Sequence, residues 1–169
     1  NISNIVVLLA SNSEEYIKVI AFLNKALKIP NPYTVWLRPH PVFPLSDAIE
    51  IAGKPQFSYY ESDKETLDEC LAWADVAVYV HSTSSIESLS RGLPVICLNI
   101  DNAISPDPLF SFTDFRWWVE SPQDLVKIID EINALSENEF HERQKKAVAY
   151  TEKYFYPVNE ENMDIFLKV

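Results

Sequence analysis

Four consecutive hydroxyl side chains in this sequence have the composition of a phosphate-binding turn. Ser82, Thr83, Ser84 and Ser85 follow His81, which comes directly after an apolar run. At the start of a helix, such residues offer side-chain donors beside free backbone N–H groups, and together these can bind phosphate without a lysine. Ser and Thr are also favoured caps on any helix. Taken alone, the segment is explained more simply by ordinary capping.

A carboxylate follows this hydroxyl segment at a spacing that suits a ribose. Glu87 lies five residues before Gly92, and we expect it one turn into the same helix. From there it could hold the two hydroxyls of a ribose while the turn holds phosphate, as acids do in dinucleotide-binding proteins. The alternative is an acid in the first turn that complements the helix dipole, and by itself this is the simpler interpretation.

A second polar segment, RPHP, combines an arginine and a histidine between prolines. Arg38 and His40 follow the apolar run YTVWL, and the two prolines restrict the backbone around the imidazole. An arginine and a histidine placed there could contact a diphosphate or a sugar hydroxyl. The alternative is a structural turn with a solvated histidine. A general-base role for His40 is the weaker hypothesis, because no Ser, Cys or carboxylate partner is identifiable near it in sequence.

The elements that must position these residues alternate between short β-branched runs and helical periods. We predict strands over 5–9, 33–37, 57–60, 75–80, 94–98 and 116–119, with helices between them. The helix that contains Glu87 is expected to end at Gly92. The next helix is expected to begin with Ser121 and Pro122, and the last has a capping box formed by Ser136 and Glu139. This order predicts a Rossmann-like α/β/α sandwich with a mostly parallel sheet of about six strands. In such sheets ligands bind beyond the carboxyl ends of the strands, where RPHP and the hydroxyl segment are expected.

Composition excludes several function classes. The 169 residues are 47% hydrophobic, which is enough for one buried core, and their net charge of −11 disfavours nucleic acid or an anionic membrane as a partner. Cys70 and Cys97 fall in apolar segments, which fits a reducing, cytoplasmic interior. No apolar run is long enough to span a membrane, and no His or Cys cluster has metal-ligand spacing, so no metal is expected.

The long loop from 99 to 115 is interpreted as a lid or a domain contact.

Together these residues resemble the C-terminal, donor-binding domain of GT-B glycosyltransferases, over roughly residues 4 to 155. The strongest similarity is ADVAVYVHSTSSIESLSRGLPVICL, Ala74 to Leu98. The resemblance implies that Glu87 binds ribose and that Ser84 and Ser85 contact the donor diphosphate. RPHP is similar to the His-Pro signature of bacterial surface-polysaccharide, sialic-acid and teichoic-acid polymer transferases, which implies that His40 lies at the donor phosphates.

The resemblance implies an enzyme of which this chain is one part. It implies a donor-binding domain over 1–155 and a tail over 156–169 that crosses to a missing N-terminal domain. The expected activity is transfer of a sugar from a nucleotide-sugar, used as substrate and without a cofactor, to a surface polysaccharide or glycolipid acceptor. We expect this chain alone to be inactive, its location to be cytoplasmic or peripheral at the inner membrane face, and its catalytic residues to lie elsewhere. Self-association is expected through an aromatic surface, listed as Phe110, Phe112, Phe115, Trp117, Trp118 and the tail.

Two departures from the family pattern and three alternatives remain. Hydroxyls replace the glycine-rich turn, and Tyr79 or Val80 stands where the second acid of the retaining EX7E pattern would precede Glu87. One alternative is a nucleotide-sugar 2-epimerase, which would need a catalytic acid cluster and another domain. A second is a receiver-like, flavodoxin-type signalling domain, although Ser11-Asn12-Ser13 and Asn99-Ile100-Asp101 stand where its acids and lysine belong. A third is a non-catalytic binding domain.

Overall fold

The computed structural model describes residues 1–10, 13–61, 65–100 and 107–155. In these ranges the strands are β1 (Asn4–Leu8), β2 (Thr34–Arg38), β3 (Tyr59–Glu61), β4 (Val76–Tyr79), β5 (Val95–Leu98) and β6 (Arg116–Val119). The helices are α1 (Ser13–Ala26), α2 (Leu45–Ala52), α3 (Leu67–Trp73), α4 (Ser84–Ser90), α5 (Pro122–Asn133) and α6 (Glu137–Thr151), and a 3-10 turn (Glu152–Tyr154) follows α6. The predicted tail over 156–169 lies outside the described residues.

The six strands form one parallel sheet in the order β3-β2-β1-β4-β5-β6. Ile5 of β1 is level with Val35 on one side and with Val76 on the other. This is the strand order of dinucleotide-binding folds, whereas a flavodoxin-like sheet places its third strand beside the first. The predicted Rossmann-like sandwich is confirmed, and the receiver-like alternative is wrong because β4, not β3, neighbours β1. The strand order reverses between β1 and β4.

Alternate residues of each central strand supply two cores, one on each face of the sheet. On one face Ile5, Val7 and Val78 pack with residues of α1, α2 and α5. On the other face Val6 and Ala77 pack with residues of α3, α4 and α6. Because both faces are covered, β1 and β4 are almost entirely apolar and have no polar alternation. The chain can therefore place polar groups only where these strands end.

Several helix ends match their sequence signals. Ser136 accepts a hydrogen bond from the backbone N–H of Glu139, whose side chain returns to the backbone of Ser136, so α6 has the predicted capping box. α5 begins with Ser121 as its N-cap and Pro122 as its first residue, as predicted. Gly92 follows α4 with φ +74°, and its N–H bonds to the carbonyl of Leu89. This left-handed conformation suits glycine and ends the helix.

The aromatic segment after β5 is mostly part of the core and is not a free surface. Phe112 and Phe115 are buried. Phe112 stacks on Tyr150 with ring centroids 4.5 Å apart, and Phe115 meets Phe140 edge-on at 5.1 Å. The expectation that Phe112 and Phe115 belong to an exposed contact surface is therefore wrong, because they hold α6 against the sheet. Phe110 remains 77% exposed.

None of the helices found in the described ranges is long and apolar enough to span a bilayer.

Candidate functional site

The two polar segments predicted from sequence leave the sheet on either side of β1. Leu8, near the carboxyl end of β1, is level with Arg38 of β2 and with Tyr79 of β4. His40 and His81 each lie two residues beyond those positions. Both segments therefore emerge at the carboxyl edge, beside the point at which the strand order reverses. In open α/β sheets this is where ligands bind.

A buried tyrosine holds the turn that carries His40. The Tyr16 hydroxyl accepts a hydrogen bond from the backbone N–H of His40 at 2.6 Å and donates to the carbonyl of Phe43 at 3.2 Å. Tyr16 is 1% exposed, and burial raises the pKa of its phenol, so it remains a neutral donor and acceptor. Helix α1 thereby fixes the path of the chain after β2.

The backbone of this turn also orients the His40 imidazole. The N–H of Val42 donates to Nδ1 of His40 at 3.3 Å. A neutral imidazole that accepts at Nδ1 carries its proton on Nε2. In that tautomer the half-buried His40 has an N–H donor at Nε2, which suits contact with a phosphate oxygen better than proton abstraction.

Arg38 has a structural contact that the sequence did not predict. Its Nη1 donates to the carbonyl of Glu65 at 3.0 Å and lies 3.7 Å from Sγ of Cys70. These partners lie at and just before α3, on the sheet face that also carries Trp36. One guanidinium nitrogen is therefore engaged beside α3. The prediction that Arg38 contacts a ligand therefore concerns its other guanidinium N–H groups.

The hydroxyl segment does not cap α4 in the way that the simpler explanation requires. Helix α4 begins at Ser84, and its N-cap residue Thr83 has helical dihedral angles and makes no side-chain cap hydrogen bond. Ser85 is fully buried, and its Oγ has no hydrogen-bond partner among the described residues. A buried hydroxyl without a partner is costly. The segment therefore holds side-chain hydroxyls that capping of α4 does not use.

Glu87 lies one turn further along α4. It is four positions after Thr83, so the two share one side of the helix. Its backbone carbonyl accepts from Oγ of Ser90 at 2.8 Å. Its carboxylate is partly exposed and makes no hydrogen bond or ion pair with the residues that the structure describes. The carboxylate is thus not committed to a structural partner there.

A carboxylate–imidazole pair bridges β1 and β4 at this edge, and the sequence analysis did not identify it. Oε2 of Glu15 lies 2.9 Å from Nδ1 of His81. Oε1 of Glu15 accepts from the backbone N–H of Ala10 at 3.2 Å. Glu15 is 7% exposed, whereas the His81 side chain is 36% exposed. The pair joins residues 66 positions apart in sequence, and only the neighbouring placement of β1 and β4 brings them together.

A buried polar network fixes the chain that returns from the loop after β5. The Tyr79 hydroxyl donates to Oδ1 of Asp107 at 2.9 Å, and Arg116 pairs with Oδ2 of the same carboxylate. Asp107 also accepts from the backbone N–H of Leu109 at 2.9 Å. Burial raises the pKa of Tyr79, and burial raises the pKa of the neighbouring Cys97 thiol to about 12. The network ties β4, β6 and residue 107 together behind the candidate site.

In the described part of the chain, no group of three His, Cys, Asp or Glu side chains is placed to hold a metal ion.

The comparisons with known proteins identify a shared fold. No family model and no curated protein matches the sequence. Among solved structures, the chain is similar to CalG4, the calicheamicin glycosyltransferase, with a TM-score of 0.62 and 12% identity over 89% of this chain and 38% of that one. It is also similar to the catalytic domain of cholesterol-α-glucosyltransferase from Helicobacter pylori, with a TM-score of 0.64 and 17% identity over 91% of this chain and all of that one. The wall teichoic acid polymerase TagF matches with a TM-score of 0.58 and 12% identity over 98% of this chain and 42% of its own.

These likenesses confirm the predicted fold. The chain has the Rossmann-like fold of one domain of the GT-B glycosyltransferases and fits their C-terminal half, as the sequence resemblance implies. It spans about two fifths of the length of CalG4 and TagF.

Proposed function

We propose that this chain is the donor-binding domain of a glycosyltransferase that moves a sugar from a nucleotide-sugar to a surface polysaccharide or glycolipid acceptor. The observation that carries the proposal is the convergence of the His40 turn and the hydroxyl segment on the two sides of β1, at the carboxyl edge of the sheet. The fold shared with several glycosyltransferases supports the enzyme class. TagF, a wall teichoic acid polymerase, supports a surface polymer as the acceptor class.

Each candidate residue has a role that follows from its chemistry. Nε2–H of His40 donates to the donor diphosphate, and the hydroxyls of Ser82 to Ser85 donate beside it. The Glu87 carboxylate accepts from the two ribose hydroxyls. Arg38 supplies positive charge near the diphosphate through the guanidinium nitrogens that Glu65 does not occupy.

Sugar transfer needs an acceptor site on the opposite side of the cleft, which these residues do not supply. The anomeric carbon of the donor must face an acceptor oxygen held about 3–3.5 Å away in reactive alignment. In the proposed enzyme an N-terminal domain provides the acceptor site and the catalytic base, and the tail over 156–169 crosses to it. The chain alone therefore binds the donor without turning it over.

Calorimetric titration with UDP-, CMP- and GDP-linked sugars tests donor binding directly. The variant Glu87→Gln keeps the side-chain shape and removes the charge. Hydrogen bonds to charged groups contribute roughly 1.5–3 kcal/mol, so affinity for the best nucleotide-sugar should fall about tenfold or more. Glu131→Gln is the matched control, because Glu131 is exposed near the C-terminal end of α5. If no nucleotide-sugar binds the parent chain, the proposed function is wrong; if Glu87→Gln binds as the parent does, only the ribose role is wrong.

The variant His40→Ala separates a phosphate contact from a general base. In the complete enzyme it should weaken donor binding and leave the shape of the pH–rate profile unchanged. Loss of the basic ionisation from that profile would instead identify His40 as the base.

A further inference from the structure

The contact between Glu15 and His81 bears on which imidazole nitrogen carries a proton. When the Glu15 carboxylate is ionised it only accepts hydrogen bonds, and Nδ1 of His81 then donates across the 2.9 Å contact. The second carboxylate oxygen is already occupied by the N–H of Ala10. Glu15 therefore satisfies two donors at once, one from the chain after β1 and one from the chain after β4.

The His81 side chain is not enclosed by the protein. Glu15 is buried, whereas about a third of the His81 side chain is exposed. In the part of the chain that the structure describes, Nε2 has no hydrogen-bond partner. His81 directly precedes the hydroxyl segment in the sequence and is therefore a neighbour of the proposed diphosphate site.

We propose that Glu15 is a positioning residue that holds His81 as an imidazolium whose Nε2–H donates to a phosphate of the nucleotide-linked donor. With Nδ1–H committed to the carboxylate, Nε2 carries a proton only when the ring is doubly protonated. A carboxylate on one side and a phosphate on the other both stabilise that charge. This inference rests on the proposed donor site and adds to it a residue of α1 that contacts no part of the donor.

The variant Glu15→Gln changes the hydrogen-bond chemistry at nearly constant shape. A glutamine has one acceptor oxygen, whereas Ala10 N–H and His81 Nδ1–H are two donors. If the oxygen stays on Ala10, the amide NH₂ faces Nδ1 and donates to it. The ring is then neutral, with its only proton on Nε2. His81 then still donates from Nε2–H to the phosphate, but the imidazole no longer carries a positive charge.

Nitrogen-15 NMR of His81 shows directly which ring nitrogens are protonated. The measurement is made on the complex with whichever of UDP, CDP and GDP binds most tightly. We expect both ring nitrogens of the unaltered chain to be protonated in that complex, and Nδ1 to be unprotonated in Glu15→Gln. Glu14→Gln, the same change at the adjacent and more exposed position, should leave the His81 signals as they were. A bound His81 with unprotonated Nδ1 in the unaltered chain overturns the proposal without any variant having to fold.

Calorimetry supplies the second readout. Glu15→Gln should bind the same nucleoside diphosphate about five- to tenfold more weakly, since a charge-assisted hydrogen bond is roughly twice as strong as a neutral one. Affinity for the corresponding nucleoside, which has no phosphate, should change less than about twofold by the same reasoning. Equal losses for nucleoside and diphosphate would show a merely structural role and overturn the inference. Absence of nucleotide binding by the unaltered chain would overturn the proposed function itself, and this inference with it.

Discussion

Replacing Tyr16 with phenylalanine removes one oxygen atom that organises the turn after β2. That hydroxyl accepts from the N–H of His40 and donates to the carbonyl of Phe43. A buried polar group that loses its partner costs about 1–3 kcal/mol. His40 and Phe43 are only partly buried, so water can replace part of each bond. We therefore take about 1 kcal/mol for each group and expect Tyr16→Phe to lower the free energy of unfolding by about 2 kcal/mol.

Urea and thermal unfolding followed by circular dichroism measure this loss. For a chain of this size about 2 kcal/mol corresponds to a fall in Tm of roughly 4–8 °C. Tyr33→Phe is the matched control: Tyr33 is 7% exposed, and its hydroxyl makes no hydrogen bond with a described residue. Its stability should change by less than about 0.5 kcal/mol. If Tyr16→Phe and Tyr33→Phe lose the same stability, the hydroxyl does not hold the turn and the reasoning fails.

Four further outcomes are expected. Asp107→Asn removes the buried carboxylate paired with Arg116, and breaking such a pair costs about 3–5 kcal/mol of unfolding free energy; a loss below about 1 kcal/mol in urea would contradict this. Gly92→Ala should cost about 1–2 kcal/mol, because φ is +74° and the new Cβ would meet Nε2 of Gln144 at 2.7 Å; unchanged stability argues against it. Cys97, with a pKa of about 12, should resist a thiol reagent at pH 8 until the chain unfolds. The purified chain should melt cooperatively, and product formed from any nucleotide-sugar and acceptor would contradict the proposal that transfer needs a second domain.

The centre of the sheet could be predicted from the sequence because β1, β4 and β5 are buried on both faces and are therefore short, nearly unbroken apolar runs. β6 has the predicted bounds, and β1 and β2 differ from prediction by one residue at each end. β3 begins two residues later than predicted and ends one residue later. Phe57 belongs to the core on the side of α1 and α2. The pairing of β3 with β2 begins only at Tyr59. In that segment an apolar side chain indicates that the residue is buried, but it does not indicate that the backbone pairs with a neighbouring strand.

The candidate site could be predicted only where its residues are adjacent in sequence. RPHP and HSTSS are local patterns, and the parallel topology places both at one edge. The pair of Glu15 and His81 depends on β4 lying beside β1, which the alternation of strands and helices does not specify. Glu15 lies in the first turn of α1, where an acid is common on any helix and does not indicate a distant partner. Ser84 and Ser85 lie inside α4 and do not cap it, although serine is a favoured residue at helix caps.

The central position of β1 has a consequence for synthesis of the chain on the ribosome. β1 pairs with β2 on one side, but its other edge waits for β4, whose residue Val76 lies opposite Ile5. While the intervening residues are being made, a half-sheet of β1, β2 and β3 would present an apolar strand with an unpaired row of backbone donors and acceptors. Such edges template intermolecular pairing, and long-range parallel pairing forms slowly. Nascent chains that stop before β4 therefore carry their aggregation hazard in the strand that becomes the centre of the folded sheet.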